Sequence, residues 1–243
     1  MIQISHDYPD KSIFLDVYKV TKFAGDAQGK EGQAIRWIEK QELLNFKFPA
    51  ANRSIINATQ LPSRYLITPE PDFDDRARFL DHIEKRISQG INLLQFRAKT
   101  LSERQLKTVF QEIQSVNNPF GATIYINTSL QHATEIGASY IHLSSTELMK
   151  TAKVPSDVFV AASCHNADQI NHANDLGIQF IVLSPVLATT SHPTAKPLSW
   201  VNFTQLCKLA NMPTYALGGM QIKHLAQAKN SGAQGIAAIR SLW

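Results

Sequence analysis

The chain has 243 residues, 44% hydrophobic and 18% charged, with 11 glycines and 11 prolines, which excludes a disordered chain and allows one large domain or one and a half ordinary ones. No apolar run approaches the roughly 20 residues of a membrane span, and no signal peptide or CxxC pair is present. Cys164 and Cys207 are therefore read as reduced thiols of a cytoplasmic protein, not as zinc ligands or a disulfide. A formal charge of +4 is too mild to argue for nucleic acid.

Residues 1–60 read as a small α+β segment. The alternating run from Ile13 to Val20 predicts a strand, followed by a Gly-rich turn (Gly25, Gly29, Gly32), an apolar run from Ala34 to Ile38, and a helix from Ala51 to about Thr59. So few elements bury too little surface to fold alone, so the segment is expected to lean on something.

Residues 64–243 repeat. Short β-rich runs are expected at Arg64–Thr68, Ile91–Phe96, Ala122–Asn127, Ala138–Leu143, Phe159–Ser163, Ile178–Leu183, Thr214–Leu217 and Ala233–Ile239. Helical patterns separate them, and Gly90, Gly137, Gly177 and Gly232 mark a helix end before each even-numbered strand. Strict β/α alternation implies parallel strands and right-handed crossovers, hence a (β/α)8 TIM barrel, with an open doubly wound sheet as the alternative. Only Arg240–Trp243 follow the last strand, so the eighth helix is nearly absent. The groove it would fill must be covered by the N-terminal segment, by a partner chain, or by nothing.

In such barrels chemistry gathers at the C-terminal ends of the strands. The second strand ends in Gln95, Arg97 and Lys99, which the period of two places on one face. An inward Arg beside a Lys calls for an anion or a barrel carboxylate. Asn127, His142, Ser163, Cys164 and His165 stand at the next ends; a long loop, Ser184–Ser199, follows the sixth strand, and Gly218-Gly219 ends the seventh. Paired glycines allow backbone amides to approach a phosphate. After Asp175 there is no Asp or Glu, leaving Lys196, Lys208, Lys223, Lys229 and Arg240 unopposed, which suits an anionic ligand or a solvated basic face. His82, His132, His172 and His224 fall on helical stretches and read as surface residues, and Cys164 as an inert buried thiol.

Two family resemblances follow from these motifs. Gln95-x-Arg97-x-Lys99, Asn127, Ala138–Leu143, Ser184-Pro185-Val186, Ala216–Gly219 and Gly235-Ile236-Ala237 stand in the order found in thiamine phosphate synthases, and the related thiazole tautomerases share much of the pattern. The resemblance implies coupling of hydroxymethylpyrimidine pyrophosphate to thiazole phosphate with release of pyrophosphate. It assigns the leaving pyrophosphate to Gln95, Arg97, Lys99 and Ser163, with Ser163, His192 and Lys99 as catalytic residues. Asn127, Thr189 and Ser191 become substrate contacts, and Gly218, Gly219, Ala238 and Ile239 the thiazole-phosphate site. It implies Mg2+ at Glu147.

Departures from the family pattern are equally specific. Thr128 stands where the family has a metal-binding Asp, Ser144-Ser145 where it has Gly-Gln, and His192 where it has Lys; Pro185 replaces the tautomerase histidine. A non-catalytic phosphate-binding barrel is the alternative. Residues 1–60, through His6–Pro9, Gly29–Gln33, Trp37 and Phe48–Asn52, resemble the C-terminal part of a mutator-type Nudix hydrolase, the class that sanitises oxidised nucleotides. The defining Nudix box is missing, so no such hydrolysis is expected from this chain alone. A separately encoded Nudix half or a second copy of the chain are the expected partners.

Overall fold

The computed structural model describes residues 1–7, 10–116, 118, 121–189 and 196–243. All eight strands of the repeat form: β3 (Arg64–Ile67), β4 (Leu93–Phe96), β5 (Thr123–Asn127), β6 (Tyr140–Leu143), β7 (Phe159–Cys164), β8 (Phe180–Leu183), β9 (Thr214–Ala216) and β10 (Gly235–Ala238). They pair in parallel in chain order, and β10 returns to β3 with Ile236 opposite Arg64, so the sheet is a closed barrel and the open-sheet alternative is excluded. Several strands start about two residues later than the apolar runs suggest. Ile91, Ala138, Ile178 and Ala233 are buried, yet they precede the strand pairing and pack in the layer between strands and helices.

Seven crossover helices surround the barrel: α2 (Arg76–Ser88), α3 (Glu103–Gln114), α4 (Leu130–Ile136), α5 (Ser145–Lys150), α6 (Ala167–Asp175), α7 (Ser199–Cys207) and α8 (Leu225–Asn230). Alternate strand residues serve two apolar layers. Leu66, Leu94, Phe96, Ile126 and Ile141 meet helix residues such as Ile83, Ile87, Val109 and Ile113. Tyr65, Ile67, Leu93, Tyr125, Phe180, Val182 and Tyr215 fill the interior. The expected glycine caps are in place: Gly137 adopts φ 72° at the end of α4, and Gly90, Gly177 and Gly232 share that left-handed region.

Residues 239–243, after β10, form no helix. Instead Leu242 is buried, and Trp243 stacks on His82 at 4.9 Å between centroids and packs on Phe79 at 5.2 Å, both on α2. Trp243 thus lies against the neighbouring helix α2, whereas the N-terminal segment is attached elsewhere, under the barrel.

The N-terminal segment forms a two-stranded antiparallel hairpin, β1 (Ile2–Asp7) and β2 (Ser12–Val17), two short 3-10 turns (Lys40–Asn45 and Ala50–Asn52), and helix α1 (Arg53–Gln60). The expected strand to Val20 stops at Val17, and residues 34–38 are neither helix nor strand. Helix α1 sits under the N-terminal end of the barrel. Gln234 Nε2 donates to Ala58 O (3.0 Å) and Leu61 O (2.6 Å), Asn57 Nδ2 donates to Gln179 O (3.3 Å), and Leu61 packs on the interior cluster. The hairpin is tied by Ser5 N donating to Asn211 Oδ1 at 2.8 Å. These contacts supply the support that the segment's small size demands.

Candidate functional site

Above the aromatic interior, the inward alternation continues as polar side chains: Gln95 on β4, Asn127 on β5, His142 on β6 and Ser163 on β7. Four groups join into a chain across the barrel. Gln95 Nε2 donates to Tyr65 Oη (3.2 Å), Tyr65 Oη lies 3.1 Å from His142 Nδ1, and His142 Nε2 lies 2.9 Å from Ser163 Oγ. Asn127 Nδ2 donates to His142 O at 3.0 Å. Gln95 and His142 are buried and Ser163 is half-buried. Desolvation pushes the His142 imidazole down to about 3, so the ring is neutral, and desolvation raises the Tyr65 phenol well above its ordinary range. Nothing in the sequence ranked Tyr65. Only its inward register, one residue into β3, could have marked it.

Arg97 is half-buried beyond the end of β4, with Nη1 3.7 Å from Glu70 Oε2. Glu70 also accepts from Thr100 N (2.7 Å) and Thr100 Oγ1 (2.8 Å). Of the two ways to satisfy an inward Arg, the structure supplies the carboxylate. Lys99 is exposed and has no ion-pair partner among the described residues.

The residues in line for a metal do not fit one. Glu147 lies in the first turn of α5 and is ion-paired with Lys150 at 2.9 Å, while Thr128 Oγ1 is 3.1 Å from His132 Nδ1. No group of three or more His, Cys, Asp or Glu side chains suited to a metal occurs among the described residues. Mg2+ prefers an octahedral oxygen shell, and one carboxylate already holding a lysine is a poor start.

Gly218 adopts φ 99° and Gly219 φ 66°. A Cβ on Gly218 would lie 2.8 Å from Pro185 Cα, and one on Gly219 2.7 Å from Ala188 O. The close approach that these glycines permit is therefore already used by the loop after β8, which donates Val186 N to Leu217 O (2.8 Å) and Leu187 N to Gly218 O (3.2 Å). Ala238 ends β10 and is buried, and Ile239, half-buried, packs against the interior cluster. Thr189 is half-buried; Ser191 and His192 lie outside the described residues.

Other expected roles resolve more plainly. Burial pushes the Cys164 thiol up to about 12, as befits an inert buried group. The helical histidines are half-buried rather than at the surface, because each meets a neighbouring group: His172 Nε2 lies 2.9 Å from Thr151 O, and His224 Nδ1 accepts from Gln221 N. A cavity of about 990 Å3 lies at the opposite end from these polar groups, between the hairpin, α1 and the foot of the barrel, lined by Ile2, Tyr18, Lys40, Leu61, Lys208 and Gln234 among others. In barrels of this kind that end carries stability, so the polar C-terminal mouth is the better site.

A closed parallel barrel with polar groups converging at its C-terminal mouth defines the class of (β/α)8 barrel proteins. Within that class, residues 64–242 match the family model described as thiamine monophosphate synthase, and the chain belongs to that family. An Aquifex aeolicus protein named "Putative thiamine-phosphate synthase 2" is 30% identical over 182 residues, covering 74% of this chain and 97% of the relative. A thiamine-phosphate synthase of Prochlorococcus marinus is 28% identical over 204 residues, 83% of this chain, and the chain spans only 56% of that protein. That match is longer than residues 64–243, so it reaches back into the N-terminal segment. Among solved structures, thiamine phosphate pyrophosphorylase from Pyrococcus furiosus superposes with a TM-score of 0.58 at 15% identity, over 79% of this chain and 88% of that one, a likeness of fold.

Proposed function

We propose that the chain takes hydroxymethylpyrimidine pyrophosphate and thiazole phosphate at the barrel mouth and joins them with release of pyrophosphate, a step of thiamine biosynthesis. The observation that carries this reading is that the family match spans the same segment whose strand ends present Gln95, Arg97, Asn127 and Ser163 at one rim. In the reaction, the bond from the pyrimidine methylene carbon to a pyrophosphate oxygen breaks, and its electron pair leaves with the oxygen. The lone pair of the thiazole nitrogen then forms the new C–N bond. Arg97, Lys99 and Ser163 are the groups proposed to hold the departing charge, each charge-assisted contact being worth about 1.5–3 kcal/mol. For Arg97 this requires exchanging Glu70 for the ligand, which offsets part of the gain.

Gln95, Asn127, Thr189 and Ser191 complete the proposed substrate contacts, with His192 in the place of the family's lysine. The amides around Gly218, Gly219, Ala238 and Ile239 are proposed for the thiazole phosphate. Mg2+ is expected from the resemblance, but Glu147 would be its one carboxylate, and no step is derived through it.

A second reading, a barrel that binds phosphorylated ligands without turnover, is favoured by the ion pairs that occupy Arg97 and Glu147. For residues 1–60 as a separate unit, the Nudix likeness is proposed on residue pattern alone, together with a Nudix-half or second-copy partner and a cytoplasmic location.

One experiment separates these readings: incubate the chain with both substrates and Mg2+, follow thiamine phosphate and pyrophosphate, and run 8-oxo-dGTP in parallel. Slow product formation, and no pyrophosphate from 8-oxo-dGTP, is the expected outcome. Tight binding of thiazole phosphate with no product would select the second reading, and neither binding nor product would refute both.

A further inference from the structure

We infer that Gln95, Tyr65, His142 and Ser163 form a one-way hydrogen-bond chain that fixes the His142 tautomer and turns the Ser163 hydroxyl proton toward the barrel mouth. Tyr65 and His142 are then positioning residues for an anion that Ser163 touches. The inference deepens the reading of the mouth as an anion site and rests on it for the identity of the acceptor.

The direction follows from counting donors. An amide nitrogen can only donate, and that of Gln95 faces Tyr65 Oη at 3.2 Å. The phenol has a single proton. Its neighbours in the interior are the rings of Tyr125, Phe180 and Tyr215, and the acceptor within reach is His142 Nδ1 at 3.1 Å. An imidazole that accepts at Nδ1 and is neutral carries its proton on Nε2, which faces Ser163 Oγ at 2.9 Å. Ser163 Oγ is thereby an acceptor within the chain, and its own proton must be donated elsewhere. On the same face below it lies Ala161, and the residue opposite it on β8 is Val182, both apolar and buried. The way left open is the mouth.

Every member of the chain therefore has a definite task. Burial makes the chain rigid, since none of its buried side-chain atoms lacks a partner among the described residues, where Arg86 Nε is the single orphan. An outward-pointing hydroxyl proton favours an anionic oxygen over a cation at the same place. Reversal of the chain would present lone pairs there instead. The polarity is set by the Gln95 amide, 30 residues from Tyr65 in the sequence, and passes across β4, β3, β6 and β7.

The test combines tautomer and affinity. Imidazole nitrogen-15 NMR on the wild-type chain should show His142 as the Nε2–H tautomer, and Tyr65→Phe, which keeps the ring packing, should give a mixture of the two. Pyrophosphate with a chelator present, titrated by calorimetry, should bind about tenfold more weakly to Tyr65→Phe and tenfold or more to Ser163→Ala. The double variant should bind no more weakly than Ser163→Ala, because Tyr65 acts through Ser163. A wild-type Nδ1–H tautomer, or losses that add in the double variant, would overturn the inference. If pyrophosphate fails to bind the wild type, the anion-site reading has failed. The tautomer and its response to Tyr65→Phe then still decide the chain, and the wild-type spectrum does so even if the variant does not fold.

Discussion

At the scale of residues, His142 couples the site to stability. Its pKa is depressed from 6.5 to about 3 by burial, so between those values the unfolded chain binds the proton that the folded one refuses. The contribution is fully present above about pH 6.5 and is lost as pH falls toward 3, by up to about 1.4 kcal/mol per pH unit. Urea midpoints of the wild type should therefore fall between pH 7 and pH 5, and His142→Gln should flatten that fall; parallel curves for the two proteins would show that the imidazole contributes nothing to it. Much of the mouth was legible before the fold was known. The period of two placed Gln95 and Arg97 inward, and the strand ends picked out Asn127, His142 and Ser163. What stayed hidden were the partners: Glu70 is 27 residues from Arg97, and Tyr65 meets His142 only because β3 and β6 face each other across a closed barrel. The first pair depends on β3 lying beside β4 and the second on closure, and no local pattern reports either.

At the scale of elements, the apolar runs identified all eight strands because each is a run with no place but the core, and a glycine-capped helix end marked four of them. The N-terminal segment carries weaker signals. Its first strand alternates only from Ile2 to Ser5, and Trp37 is 76% exposed, so composition there does not track burial. Its best-defined attachment is α1 beneath the barrel, where the Gln234 amide satisfies two carbonyls at the end of the helix. Gln234→Ala leaves both carbonyls short of a donor and should destabilise the chain by about 1–3 kcal/mol. Gln131→Ala, on the exposed face of α4, should stay within about 0.5 kcal/mol. Chemical denaturation of the two variants beside the wild type makes the comparison, and equal midpoints would mean that α1 is not held by these bonds.

At the scale of the whole molecule, one pairing differs from the other seven. Each of those joins strands that follow one another in the chain, whereas the seam between β10 and β3 joins residues 236 and 64. At that seam Gly235 lies so close to the residue just before β3 that an added Cβ would stand 1.9 Å from Ser63 O and 2.7 Å from Ser63 Cα. Both atoms are backbone, so no rotamer change relieves the clash, and Gly235→Ala should lower stability by about 3 kcal/mol or more. A thermal melt matching the wild type would show that the seam can yield. The consequence is temporal as well as structural. Loop closure over so long a stretch is the most expensive in entropy, so the barrel behaves as a ribbon of neighbouring staves that must find its own far edge late in folding. The seam is thus the natural rate-limiting contact, and a circular permutant that links β10 directly to β3 and opens another pair of strands would relocate that slow step while leaving the finished barrel the same.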